Sequence, residues 1–169
     1  MFYVKKCDSP AGELTIASDG SNITGLWMKD QKYFGSTLPE EYSDEKELPV
    51  LTAAEKWLAD YFGGKKPAPS ELPLAPRGSE FRKTVWSILT EIPYGEVMTY
   101  GAVAAIAAER LGKITMSAQA VGGAVAHNPI GIIIPCHRVI GADGSMTGYA
   151  GGIDKKITLL QLEGFIKQP

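Results

Sequence analysis

Two side chains able to share a proton stand side by side at Cys136 and His137, inside "GIIIPCHRVIGADGSMTGYAGG", residues 131–152. The chain has only two cysteines and two histidines, and one of each is placed here. A cysteine attacks as its thiolate, and an unperturbed thiol has a pKa of about 8.5. Most of it is protonated at neutral pH, and histidine is the common acceptor for that proton. Neighbours on a strand point to opposite faces. The pair can cooperate if the chain leaves the extended conformation there, and Pro135 marks such a break. A bridging water is the other route. The histidine needs a third group to orient it, usually a carboxylate or an amide. Asn128, Asp143 and Asp154 nearby, and Glu163 and other acids of the second half, are candidates, and spacing does not choose among them. A buried structural cysteine beside a surface histidine is the competing reading.

The totals narrow the field. At 169 residues, 44% hydrophobic and 21% charged, the chain fits one or two globular domains with a real core. No apolar run approaches the ~18 residues of a membrane span. The start, "MFYVKKCDSPAGEL", lacks the basic-then-apolar layout of a signal peptide, so a cytoplasmic protein is expected. Cys7 and Cys136 make no disulfide framework, and no metal-ligand spacing occurs, so no metal is expected. Cys7 reads as a small hydrophobe at a strand end. Residues 1–76 carry 8 basic against 12 acidic groups, and residues 77–169 carry 9 against 7. The sign change points to the second half if either half meets a polyanion.

These chemical groups need elements to hold them. "FYVKK", "ELTIAS" and "ITGLWMK" are β-rich runs separated by the turn formers "SPAG" and "SDGSN", which predicts an antiparallel meander. Residues 29–49 read as a polar surface loop. The segment "LTAAEKWLADYFGG" predicts a helix, with Thr52 and Glu55 as a capping box and Gly63 at its end. Prolines 67, 69, 73 and 76 then mark extended chain and a domain boundary. Beyond it, Ser79 caps a helix with Phe81, Val85, Ile88, Leu89 and Ile92 on one side. Thr99 caps the alanine-rich "YGAVAAIAAERLG", and "SAQAVGGAVAH" follows after a short turn, stopped by Asn128-Pro129. Such a pair fits a helix-turn-helix or an ordinary αα-corner. Gly122 and Gly123 each cost about 1 kcal/mol inside a helix, so a close neighbour is expected there, another helix or a nucleic-acid backbone. "IDKKITLLQLEGF" predicts the last helix.

Here the residues reach a resemblance. "IPCHRVI", "GYAGG" and "LLQLEG", preceded by "F-x-x-x-V-W", "IPYGEVMTYG", "AVGGA" and "NP", occur in the order and spacing of the O6-alkylguanine-DNA alkyltransferases. Residues 79–165 are covered almost without gaps, and the first half resembles the family only in its strand-helix outline. The resemblance implies an α+β chain. Residues 1–76 would form an antiparallel sheet with a helix, ribonuclease H-like, in a supporting role. Residues 77–169 would form an all-helical, winged-helix-like domain with a helix-turn-helix.

It further implies irreversible, single-turnover repair. An alkyl group passes from O6 of a guanine in double-stranded DNA to Cys136, with O4-alkylthymine as a further candidate substrate. His137 would deprotonate Cys136 through a water, and Glu163 would orient His137. Asn128 would hold the turn before the cysteine, and Tyr100 would protonate the departing base. Target bases in a duplex are reached by flipping, at a cost of a few kcal/mol. Ala118, Gln119, Ala120, Gly122 and Gly123 would meet the minor groove. Thr99, Arg138 and Gly151 fall in the DNA- and base-binding set. Backbone groups at Cys136, Val139 and Ala150 would read the base, and Tyr149 and Lys156 would line its pocket. A packed loop aromatic and a solvated helix lysine are the competing readings of those two. No cofactor, metal or obligate protein partner is implied, and a monomer is expected. A thiol hydrolase using Cys136 and His137, or a non-catalytic alkylguanine sensor, are the other functions these residues fit.

Three positions depart from the family pattern. Gln119 stands where an arginine usually fills the gap left by the flipped base, which predicts weaker duplex binding or an altered substrate preference. Gly131 stands where many relatives have proline, which predicts a looser pocket wall and acceptance of bulkier alkyl groups. Ala150 replaces a serine but keeps its backbone N–H.

Overall fold

The computed structural model describes residues 1–44, 47–146 and 148–167. Glu45 and Lys46 in the acidic loop, Thr147 before "GYAGG", and Gln168 and Pro169 at the end of the expected second domain lie outside the described residues. The chain forms two compact units. One is Met1–Arg77 with Pro129–Ile133, and the other is Gly78–Asn128 with Ile134–Pro169.

The first unit is built on a sheet of four strands in the order β3-β2-β1-β4. Strands β1 (Tyr3–Cys7), β2 (Leu14–Ser18) and β3 (Ile23–Met28) form the antiparallel meander expected from the turn residues. Every residue of β2 and β3 is buried. Helix α1 (Pro49–Phe62) buries Leu51, Ala54, Trp57, Leu58 and Tyr61, each large side chain contributing about 1.5–3 kcal/mol by leaving water. The Trp57 indole N–H donates to the Ala68 carbonyl at 2.8 Å. A second cluster, Val4, Ala17 and Trp27 with Leu38, completes the core of this unit. Gly25 is fixed by that packing: a Cβ there would stand 2.2 Å from the Trp27 ring.

Two expectations are corrected here. Helix α1 starts a turn before the proposed capping box. Leu48 is its N-cap and Pro49 its first residue, where a ring-fixed φ and a missing N–H cost nothing. Thr52 therefore lies inside the helix, its N–H bonded to the Leu48 carbonyl at 3.1 Å. Glu55 is ion-paired with Lys5 of β1 instead of capping. The polar stretch 29–49 also holds a two-residue strand, β4 (Ser43–Asp44), parallel to β1. Cys7 ends β1 half-buried, as a free thiol.

The outer edge of β3 is covered by chain from far away. The Leu26 N–H donates to the Pro129 carbonyl at 2.8 Å, and the Gly131 N–H donates to the Leu26 carbonyl at 3.0 Å. Ile23 is paired in the same manner with Pro73 and Ala75. A proline at 131 would lose that donor, so glycine there is part of the sheet-edge contact.

The second unit is mainly helical. Helices α2 (Glu80–Leu89), α3 (Tyr100–Arg110) and α4 (Ala118–Ala126) pack against one another; the first two are capped by the hydroxyls expected from sequence, and α4 by Ser117, which the sequence reading did not name. Ser79, Thr99 and Ser117 accept from the N–H groups of Arg82, Ala102 and Ala120, at 3.2, 3.1 and 2.9 Å. Such caps contribute about 1 kcal/mol apiece. The buried Trp86 indole N–H donates to the Ala124 carbonyl at 2.8 Å and ties α2 to α4. Helix α5 (Ile153–Leu162) closes the unit. Sequence reading did not find the parallel pair of β5 (Met98–Thr99) and β6 (Val139–Ile140). Its two-residue ladder carries no periodicity to read. It sets the start of α3 beside the residues that follow the Cys-His pair.

Candidate active site

Pro135 does break the chain. Its φ of −81° and ψ of 66°, with the Cys136 N–H bonded to the Ile134 carbonyl at 2.8 Å, make an inverse γ-turn. A short 3₁₀ turn, Cys136–Arg138, follows, so the two residues are not alternating strand neighbours. Both are buried. Burial pushes the Cys136 thiol up, while a hydrogen bond from Asn128 and the charge of Lys156 pull it down. The net direction is upward, so the resting group is a thiol that needs a base.

His137 is fitted to be that base. Its Nε2 lies 2.6 Å from Glu163 Oε2. An ionised carboxylate only accepts, so Nε2 carries the proton and Nδ1 keeps its lone pair. Nδ1 is buried and has no hydrogen-bond partner among the described residues. Burial pulls the His137 pKa down, against the opposing effect of Glu163, so the ring is neutral at pH 7.

Glu163 is the most heavily bonded group of the site. Its Oε1 accepts from Arg138 Nε at 2.8 Å and from the Gly95 N–H at 3.1 Å. Its Oε2 accepts from Arg138 Nη2 at 3.1 Å as well as from His137. Burial alone would raise its pKa, but the bonds and charges of His137 and Arg138 hold it at about 2. Of the candidates for orienting His137, the geometry selects Glu163. Asp143 and Asp154 are exposed. Asn128 is buried with its Nδ2 donating to the Ile134 carbonyl at 2.9 Å, which braces the bend before Cys136.

Arg138 departs from its expected place. It is buried rather than turned to a ligand: besides Glu163, its Nη1 donates to the Ile92 carbonyl at 2.7 Å, and its guanidinium lies 5.7 Å from the Tyr94 ring. A planar cation with five donors is best satisfied where a carboxylate and a carbonyl converge. The residues supplying that cradle, Ile92, Tyr94 and Gly95, were missed as site residues. Their signal was the quoted "IPYG", and Gly95 adopts a φ of 82°.

Lys156 is not a solvated helix lysine. It is fully buried, donates to the Val139 carbonyl and lies 5.9 Å from the Tyr100 ring. Burial lowers its pKa to about 8. Tyr100, the first residue of α3, and Tyr149 are half-buried, and burial raises both phenols. A side chain at Gly148 would place its Cβ 2.8 Å from the Tyr100 hydroxyl, so glycine keeps that hydroxyl in place. Val139 lies buried in β6, and Ala150 and Gly151 are half-buried in the turn before α5.

The groups expected to meet DNA lie on the outer side of α4. Ala118, Gln119, Ala120 and Gly123 are exposed, and Gly122 is half-exposed. A Cβ at Gly123 would meet nothing within 4 Å, and one at Gly122 only the Tyr100 ring edge, at 4.0 Å. Packing against another helix therefore does not account for the two glycines. Thr99 spends its hydroxyl on the α3 cap.

Comparison with known proteins agrees with this construction. A family model described as 6-O-methylguanine DNA methyltransferase, ribonuclease-like domain, matches residues 2–76. A second, described as 6-O-methylguanine DNA methyltransferase, DNA binding domain, matches residues 80–165. The chain belongs to the 6-O-methylguanine DNA methyltransferase family. The methylated-DNA–protein-cysteine methyltransferase of Haemophilus influenzae is 41% identical over 96% of this chain and 86% of its own length. That of Methanosarcina acetivorans is 42% identical over 96% of this chain and 99% of its own. Among solved structures, Mycobacterium tuberculosis OGT in complex with DNA is 40% identical, with a TM-score of 0.82 over 95% of this chain and 92% of that one.

Proposed function

We propose that this protein is a methylated-DNA–protein-cysteine S-methyltransferase that repairs DNA by taking the alkyl group of O6-alkylguanine onto Cys136. The single observation that carries the residue assignment is the buried His137–Glu163 bond of 2.6 Å, which leaves Nδ1 as a bare acceptor. A water bridging Nδ1 to the thiol passes the Cys136 proton to His137. The thiolate then attacks the alkyl carbon in line. The C–S bond forms as the C–O bond breaks, and the electron pair leaves with guanine. Tyr100, kept protonated by its raised pKa, donates to the departing base. The histidinium proton restores the phenol, so the thiol proton ends on guanine. The thioether product has no route back, so each molecule reacts once.

The exposed small-residue side of α4 supports entry from the minor groove, with Gln119 reaching into the stack. The protein acts as a monomer in the cytoplasm on duplex DNA, without metal or cofactor. Among the described residues, no helix is long and apolar enough to cross a membrane, and no group of three or more His, Cys, Asp or Glu could hold a metal ion.

Intact-protein mass after mixing with a duplex carrying one O6-methylguanine tests this. A gain of one methylene, capped at one per molecule, mapped to Cys136 and absent from Cys136→Ser, is expected. Tight binding without mass gain would make the protein a lesion sensor, and repeated turnover on an ester would make it a hydrolase. Gln119 carries a separate prediction. Gln119→Arg adds a cation where the family usually has one, and should tighten duplex binding on the order of fivefold at low salt. Equal affinity of the two proteins in a fluorescence-anisotropy titration would remove Gln119 from the interface.

A further inference from the structure

The turn between α3 and α4 carries the most exposed large hydrophobic side chain among the described residues. Ile114 is 100% exposed, whereas the others keep part of their surface covered. Gly112 opens this turn at a φ of 66°, and Ser117 closes it as the cap of α4. A turn favours glycine, proline, asparagine, aspartate or serine, and a β-branched apolar residue is none of these. The fold gains nothing from the isoleucine side chain, since apolar surface stabilises only where it leaves water.

The surroundings of Ile114 are continuous with the outer side of α4. A Cβ at Gly122 of α4 would meet the Tyr100 ring, and Tyr100 is followed by Gly101. Gly101 and Ala105 of α3 then form one wall of a groove of about 490 Å³, and Ile114 and Met116 line it from the turn. Charge is scarce along this path. Helix α4 has no acidic or basic residue. The last cation of α3, Arg110, is held by Glu91 through two bonds of 2.7 and 2.8 Å. Lys113 and Glu109 both line the groove and oppose each other in sign. The surface is therefore poorly suited to clamp a phosphate. It offers an apolar projection beside a neutral helix face of small residues.

Resting on the functional reading above, in which duplex DNA is entered from the minor groove, we propose that Ile114 is a DNA-contacting residue: it packs on the deoxyribose and base edges beside the α4 entry and supplies affinity without charge. Proteins that bind the minor groove use apolar side chains of this kind against base steps. Free, the side chain is hydrated on every side. Bound, it and the sugar edge both leave water. The contact offsets the cation missing at Gln119. An alkyl group displaces no counterion, so its contribution changes little with salt.

Duplex affinity tests this without requiring alkyl transfer. Fluorescence anisotropy with an undamaged duplex, over a series of salt concentrations, compares the native protein with Ile114→Ala, Ile114→Asn and Ile114→Leu. Single-turnover transfer from an O6-methylguanine duplex, sedimentation without DNA and the thermal midpoint are measured alongside. Ile114→Ala and Ile114→Asn should bind about tenfold more weakly at every salt concentration, with an unchanged slope of log affinity against log salt. Ile114→Leu should keep most of the affinity. Transfer at saturating DNA should keep its native rate, because Ile114 touches no reacting group. The thermal midpoint should stay in place, because the side chain is fully exposed in the fold. Native affinity in both Ile114→Ala and Ile114→Asn would overturn the proposal. Self-association of the native protein that Ile114→Ala abolishes, with duplex affinity unchanged, would assign the residue to a second copy of the chain and overturn it too. A native protein that binds the duplex but transfers no alkyl group ends the functional reading, and the affinities still decide the role of Ile114. One that binds no duplex ends both.

Discussion

Glu163→Gln is expected to destabilise the fold by about 3–5 kcal/mol and to slow alkyl transfer roughly 100-fold or more. Glutamine has nearly the shape of glutamate but no charge. Arg138 would remain buried with no compensating anion, which is the costly way to break an ion pair. His137 would lose the partner that fixes its tautomer. An amide can donate to Nε2, and that would place the ring proton on Nδ1, where the base needs a lone pair. Both effects follow from one carboxylate accepting four bonds, so rate and stability should fall together.

The acid limb of stability supplies the matching signature. The Glu163 pKa lies at about 2 against an ordinary 4.5, so its contribution is present above pH 4.5 and is lost as pH falls through about 2. That lowering corresponds to about 3 kcal/mol. His137 is also lowered, from an ordinary 6.5, because burial favours the neutral ring. The unfolded chain therefore binds that proton first, and stability already declines as pH drops below 6.5. Urea unfolding at pH 7, 5 and 3 should show two successive losses in the native protein. Glu163→Gln should keep the first and lose the second. An unchanged acid profile would mean that the carboxylate is not held as described.

What the sequence made legible follows from how local each signal is. Ser79, Thr99 and Ser117 cap helices through bonds to residues three positions on; the first two were read from the sequence, and the third carries the same local signal. The meander was readable from alternating β-rich runs and turn residues. Pro49 outcompeted Thr52 as the start of α1 because a fixed φ at the first helical position needs no side-chain bond. The β5–β6 ladder and the cover over β3 pair segments about 40 and about 100 residues apart, and neither leaves a periodic trace. In the site, the Cys-His pair announced itself, but spacing could not choose among its possible orienting groups. That choice needed the end of α5 to return to the turn at Gly95, a contact 68 residues long in sequence. Arg138 differs again. The resemblance placed it in the DNA- and base-binding set, and in the structure three of its bonds are spent on the interior.

Asn128→Asp should abolish measurable transfer at neutral pH while changing the side chain by a single atom type. In the native protein the amide Nδ2 donates to the Ile134 carbonyl at 2.9 Å, and the side chain also bonds Cys136, lowering its pKa. A carboxylate there would face a carbonyl oxygen and a developing thiolate with two acceptors and no donor. Repulsion would raise the thiol pKa further and release the bend at Ile134 that presents Cys136. Leaving the carbonyl unsatisfied costs about 1–3 kcal/mol in stability, and the like-charge pair adds to the barrier. The two contributions can be separated. Asn128→Ala removes the donor without adding an anion, so it should lose similar stability yet react faster than Asn128→Asp. Acid should partly restore Asn128→Asp, because a protonated carboxyl regains one donor, and should leave Asn128→Ala unaided. Single-turnover rates of both variants at pH 5, 6 and 7 decide it. Equal rates for the two at every pH would show that Asn128 acts only as a brace for the turn and that its contact with the thiol is incidental.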